Sequence, residues 1–163
     1  MPDETPFSQH FTSLAEYRQG VDAVVAQVRH TLRLFDFDMH EGGWNSPPRY
    51  AHLKQFLLAS PHNRLHIALH NVDYVNRNCP RMMRLLREHS YAVFIHQTNP
   101  EARSIFDSML IADEVHYVHR FHYEQPRGEH VLNNPDQTQG LLQRFNEIWH
   151  ASTLAVPATT LGL

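Results

Sequence analysis

Asp36, Asp38 and His40 stand at alternate positions in Leu34-Phe-Asp-Phe-Asp-Met-His40. In an extended segment that spacing puts both carboxylates on one face, with an imidazole just beyond them. Such a group can hold a metal or a cationic group, and the imidazole can act as a general base, a role open to His70 as well. The competing structural reading is a strand-end turn whose carboxylates cap the next helix. Arginine offers a second chemistry. Arg81 follows Pro80 at a predicted helix start, where free backbone amides favour anions. With Arg49 and Arg120 it could hold a phosphate or carboxylate, a task suited to the guanidinium fork. Alternatively these arginines satisfy a buried carboxylate, Asp113 or Asp38, because a buried charge requires a partner.

The fourteen histidines carry less information than their number suggests. They scatter from His10 to His150 with no cysteine cluster beside them. His116, His119 and His122 would form a ligand stripe on a helix, but their surroundings read as strand, which splits them between two faces. His66 and His70 share a strand face yet lie about 13 Å apart along an extended chain. No zinc-type spacing stands out, and neither a metal nor a cofactor is expected. Cys79 precedes Pro80 near a helix start, which can lower a thiol pKa, but without a placed base it reads as a small buried residue.

The elements that must position these groups alternate between helix and strand. Ser13-Leu-Ala-Glu16 is a capping box opening a helix predicted to run to about residue 30, and residues 31–37 then read as a strand. Gly42-Gly43 breaks the chain, and Ser46-Pro47-Pro48 opens a second helix that Ser60-Pro61 stops. A second strand spans 65–69, a helix runs from Pro80 to about 89, and a third strand covers 91–95. Extended runs over 105–111 and 115–121 form a hairpin around Ala112-Asp113-Glu114. A short strand is expected at 129–132, before a last helix capped by Asn134-Pro135. Crossover helices between the early strands predict an α/β fold, a mixed β-sheet flanked by helices on both faces.

At 163 residues, with 42% hydrophobic and 10% aromatic content, the chain has the size and composition of one globular domain. That domain is expected to span 1–163, with a core over about 12–152 and a C-terminal tail over 153–163. A net charge of −3 supplies no basic field for nucleic acid. No apolar run approaches the roughly 20 residues that span a bilayer, and the N-terminus carries no secretory signal pattern. A soluble, cytoplasmic protein without nucleic-acid or membrane partners is expected.

The hairpin resembles the signature strand pair of the phospholipase D superfamily, which reads His-x-Lys, four residues, Asp, six residues, then Gly-Ser-x-Asn. The corresponding segment runs from Phe106-Asp-Ser108 to Asp113, and Phe145-x-x-x-Trp149 is similar to the superfamily's final helix. The order of elements resembles one phospholipase D-like half. The departures are chemical. Phe106 occupies the histidine position, Ser108 the lysine position, and Arg120-Phe-His-Tyr123 replaces Gly-Ser-x-Asn; Asp113 alone agrees. An imidazole nucleophile and a lysine for the phosphoryl oxygens are both missing. More narrowly, the chain resembles the DUF7931 family of degenerate phospholipase D-like domains. The shared features are Leu34-Phe-Asp-Phe-Asp38, Trp44-Asn-Ser46, Cys79-Pro-Arg81, Phe145-x-x-x-Trp149 and Leu161-Gly-Leu163. Asp113 either belongs to an anion site or simply closes its hairpin turn.

The resemblance implies a non-catalytic module that binds a small anionic ligand or a protein partner, with Asp36, Asp38, His40, Arg81, Asp113 and Arg120 as candidate residues. Single halves of the superfamily pair around one cleft, so a homodimer is expected. The family's occurrence behind acetyltransferase domains makes an acetyltransferase-type protein a second partner class. The alternative function is an enzyme acting on a phosphorylated substrate through a site rebuilt around Asp36, Asp38 and His40.

Overall fold

In the computed structural model, which describes residues 5–158, the first half of the chain runs β1 (Phe7–Phe11), α1 (Leu14–Gln27), β2 (Thr31–Asp36), α2 (Pro47–Ala59) and β3 (Arg64–Leu69). There follow α3 (Asp73–Asn78), α4 (Pro80–Glu88), β4 (Val93–Thr98), β5 (Ser108–Ala112), β6 (His116–His122), β7 (Gln125–Leu132), α5 (Pro135–His150) and β8 (Ser152–Val156). All eight strands form one mixed sheet in the order β1-β7-β6-β5-β2-β3-β4-β8. β2, β3 and β4 are parallel, as their crossover helices require. β5 joins β2 antiparallel and begins a meander through β6, β7 and β1, while β8 lies antiparallel on β4.

Alternation along each strand divides the core between two layers. Leu32, Leu34, Leu65, Ile67, Leu69, Val93 and Ile95 face α1, α2 and α4. Phe35, Ala68, Met109, Ile111, Tyr117 and Val131 face α5 through Leu141, Phe145 and Ile148. The expected α/β class, with helices on both faces of a mixed sheet, is the observed one. Polar contacts fix α5 in place. Arg144 donates two hydrogen bonds to Asp107, at 2.6 and 2.8 Å, and His119 Nε2 donates a third at 2.7 Å. Trp149 stacks on His96 and His66.

Helix starts follow the capping signals. Ser13 Oγ accepts from the Glu16 amide, Ser46 Oγ from the Arg49 amide and Asn134 Oδ1 from the Gln137 amide. Three elements escape the periodic reading. β1 is largely exposed and buries only Phe11, α3 buries only Val75, and β8 forms from residues read as a tail. Each is short and held by the sheet or a neighbouring helix rather than by its own apolar pattern. β7 begins four residues before the expected strand because Gly128 lies flat against β6. A Cβ there would sit 2.0 Å from the His119 carbonyl oxygen. Among the described residues no helix is long and apolar enough to cross a membrane.

The β5–β6 hairpin turns at Asp113 and Glu114, both left-handed (φ 56° and 66°), with the Val115 amide bonded to the Ala112 carbonyl. This is a type I′ turn, whose twist matches the strands it joins. The turn aims the Asp113 carboxylate at the backbone before β2, where it accepts from Arg29 (2.7 Å), His30 (2.7 Å) and Thr31 (3.0 Å). Those amides lie between the end of α1 and the start of β2, so Asp113 also explains why α1 stops three residues short of the expected boundary. Asp113→Ala should lower the unfolding free energy by about 1–3 kcal/mol by stranding these donors. Asp113→Asn, which keeps one acceptor oxygen, should lose less, and urea denaturation of the two variants measures both.

Candidate functional site

Ligand sites in open α/β sheets gather where parallel strands end. At that end β2 finishes in Asp36, on the face that carries Leu32 and Leu34 and looks toward α1. β5 begins there with Ser108, paired in register with Arg120 of β6 on the same face. α1 contributes Tyr17, whose ring lies 5.1 Å from the Arg120 guanidinium and whose hydroxyl interacts with Ser108. Arg120 is 2% exposed, Ser108 1% and Asp36 6%.

A guanidinium so deeply buried needs a counter-charge. Glu41 provides it, accepting from Arg120 Nη1 at 3.2 Å, while Arg120 Nε donates to the Gln125 carbonyl at 2.8 Å. Glu41 arrives on the loop after β2, which is clamped from several sides. Arg18 Nε donates to the Glu41 carbonyl at 2.9 Å. Arg49, also buried, donates to the Gly42 carbonyl, pairs with Asp22 at 2.6 Å and lies over the Trp44 ring. Gly42 permits this packing, since a Cβ there would meet the Trp44 indole nitrogen at 2.3 Å.

Burial raises Asp36 to about 6, and the nearby Asp38 pushes the same way. The hydrogen bond from the Phe37 amide and the charges of Arg120 and His40 oppose the rise without cancelling it. Asp38 accepts from the half-exposed His40 ring at 2.5 Å, and His40 Nε2 lies 3.6 Å from Glu41. Asp36, Asp38, His40 and Arg120 therefore share one end of the sheet.

Arg81 and Asp113 do not join them. The Arg81 amide and guanidinium donate to Asn45, tying α4 to the clamped loop. Asp113 lies at the opposite end of β2, five strand steps or roughly 16 Å from Asp36. Cys79 is buried, and burial lifts its thiol to about 11, so it is not a thiolate at neutral pH. His70 donates from Nε2 to the Ile105 carbonyl (2.7 Å), and its Nδ1 contacts the Thr98 hydroxyl at 2.6 Å. Burial lowers its pKa, so it is the neutral ring, with Nδ1 accepting and neither nitrogen spare. Among the described residues no group of three or more His, Cys, Asp or Glu side chains is arranged to hold a metal.

Beside the buried cluster lies an open pocket of about 220 Å³ lined by Phe37, His70, Asn71, Arg103, Phe106 and Tyr123. Tyr123 stacks on Phe37 with ring centroids 4.6 Å apart, and Phe106 is 50% exposed at its edge. Arg103 is exposed and no described carboxylate pairs with it. Its hydrogen bond to the Thr98 carbonyl is long, at 3.4 Å. Sequence reasoning passed over Arg103, Glu41 and Tyr17. Arg103 sits in a polar turn without a motif, and Glu41 and Tyr17 acquire meaning only through contact with Arg120.

The sequence model of a domain of unknown function, DUF7931, matches residues 13–158. The chain belongs to the DUF7931 family. No curated protein matches it. Solved structures resemble this DUF7931 domain at low identity. Nuc, a phospholipase D family member from Salmonella typhimurium, superposes with a TM-score of 0.62 at 13% identity, over 93% of this chain and 99% of that one. NucT from Helicobacter pylori gives 0.58 at 8% identity, over 93% and 100%. TrmBL2, an archaeal chromatin protein, gives 0.67 at 10% identity over 91% of this chain, which spans about half of that protein (54%). At such identities the likeness is one of fold, and the fold is phospholipase D-like.

A raised Asp36 has a definite consequence for stability. Its contribution is full below its ordinary value of 3.8 and is lost as pH rises through about 6. Near pH 7 the buried carboxylate therefore costs on the order of 2–3 kcal/mol. Asp36→Asn keeps an Oδ1 acceptor for the Phe37 amide. It should raise the unfolding free energy by about 1–3 kcal/mol at pH 7 and change it little at pH 4, as denaturant melts at the two pH values will show.

Proposed function

We propose that this DUF7931 domain is a non-catalytic phospholipase D-like module, acting as one unit over the whole chain, that binds a small anionic ligand at the C-terminal end of its parallel strands. One observation carries the reading. The positions that the superfamily resemblance gives to nucleophile and lysine hold Phe106, which has no nucleophilic atom, and Ser108, sealed under the Arg120–Glu41 pair. A phosphoryl-transfer site needs an accessible nucleophile and a cation free to meet developing charge. Arg120 is already neutralised and buried, whereas Arg103 is unpaired beside an open pocket, so the anion-binding role passes to Arg103. Asp36, Asp38 and His40 lie at the same end of the sheet but outside the lining of that pocket, while Arg81 and Asp113 serve the scaffold.

The second reading is an enzyme on a phosphorylated substrate. The observation that favours it is the half-exposed His40 ring, oriented by Asp38 beside a carboxyl of raised pKa, an arrangement that suits a general base. We rank it second because no accessible nucleophile accompanies the imidazole.

We further propose that two copies pair around the pocket-bearing face, where the His122 ring stacks on both Phe106 and Tyr123. An acetyltransferase-type protein is the other partner class that the family resemblance implies. Nucleic acid and membranes are set aside on the net charge of −3 and the absence of a basic stripe, and a cytoplasmic location goes with this reading.

Purified protein should release no product from bis(p-nitrophenyl) phosphate with or without divalent metals. Reproducible turnover abolished by His40→Ala would establish the enzyme instead. Light scattering at micromolar concentration should give about twice the chain mass of 19.0 kDa, and a mass of one chain would remove the dimer.

A further inference from the structure

The pocket beside Arg103 is better furnished than a simple anion site requires. Three of its six lining residues are Phe or Tyr. Tyr123 stacks on Phe37 with 11° between the rings, while Phe106 tilts 44° to Tyr123 with centroids 6.3 Å apart. Tyr123 is already stacked by Phe37 and His122, so the ring surface the pocket offers is that of Phe106, which is 50% exposed. The polar groups on the wall are selective in what they offer. His70 has both nitrogens engaged, so it presents a neutral ring that cannot compete for a cation or a proton. Asn71 has its Oδ1 committed to the Asp73 amide, which leaves its amide NH2 as a donor. Arg103 supplies the positive charge, and no described acid neutralises it. A phosphate or carboxylate alone would use Arg103 and Asn71 and leave the rings solvated.

We infer that the pocket selects a flat aromatic ring carrying an anionic group, the ring lying against the exposed Phe106 and the anion on Arg103. The inference rests on the small-anion reading of the same site and adds the ring. At about 220 Å³ the pocket falls below the roughly 300–1,000 Å³ of sites for drug-sized ligands, so one ring or two fused rings fit. The anionic group can be a carboxylate or a phosphate monoester, both of which a guanidinium recognises.

Calorimetric titration of the whole protein with indole-3-carboxylate, adenosine 5′-monophosphate, indole, acetate and inorganic phosphate tests this. At least one ring-bearing anion should bind about 10-fold or more tightly than acetate, phosphate and uncharged indole, the gain expected of stacking on aromatic side chains. Comparison of the two ring-bearing anions identifies the anionic group. Phe106→Ala should weaken the preferred ligand by about 10-fold without altering phosphate binding. Arg103→Gln should erase the preference for indole-3-carboxylate over indole. Both side chains are exposed, so neither substitution opens the core. Acetate or phosphate binding as tightly as the ring-bearing anions would overturn the ring inference and leave the small-anion reading standing. Indole matching both ring-bearing anions, or Phe106→Ala without effect, would overturn the inference as well. No binding by any of the five would remove both it and the reading beneath it.

Discussion

Arg120 sets the terms for one end of this molecule. Its place on β6 turns the side chain under α1, and a guanidinium 2% exposed tolerates no vacancy around it. Glu41 must be brought in to face it, and Glu41 lies in an irregular loop with no sheet register to hold it. The loop is accordingly fixed by contacts of its own: Arg18 on its backbone, Arg49 on the Gly42 carbonyl, and Trp44 folded against Gly42. Arg49 in turn draws in Asp22 from α1, and Arg81 ties α4 to Asn45. The charges that could have been a constellation for binding anions are therefore linked by the need to neutralise one another. What remains free is at the rim, in Arg103 and the aromatic rings next to it.

The signature strand pair divides its work between the two ends of the sheet. At one end stand Phe106 and Ser108, the latter paired in register with Arg120, which Glu41 neutralises. At the other end Asp113 closes the hairpin turn and accepts from three backbone amides, a role the fold requires whatever the first end does. The same separation explains why Asp113 and Asp36, both expected in one site, stand apart.

Much of the fold was legible because it is carried by local, periodic signals. The caps at Ser13, Ser46 and Asn134, the apolar runs of β2 and β3 and the hairpin at Asp113 are all local events, and the structure contains them. The elements that were not legible owe their existence to partners. β1 and β8 are strands because an edge was open to them, and α3 is a single polar turn or two held by Val75. The site divides in the same way. Asp36, Asp38, His40 and Arg120 could be picked out by residue type and strand position, and they do meet. Their meaning was hidden, since Glu41 and Tyr17 become partners of Arg120 only in three dimensions. Arg103 carried no signal, because an exposed arginine in a polar turn looks like any other until an aromatic pocket forms around it. The terminal Leu161-Gly-Leu163 lies outside the described residues.

The central claim is that the buried cluster around Asp36, Ser108 and Arg120 is closed and desolvated, and that ligand binding belongs to the neighbouring pocket. The carboxyl carbon of Asp36, followed by NMR from pH 3 to 8 in the intact protein, reports on this directly because Asp36 lies inside the closed cluster. A sealed site predicts a titration midpoint near 6. A midpoint at the ordinary aspartate value of 3.8 would mean that water reaches the cluster and that the position is open.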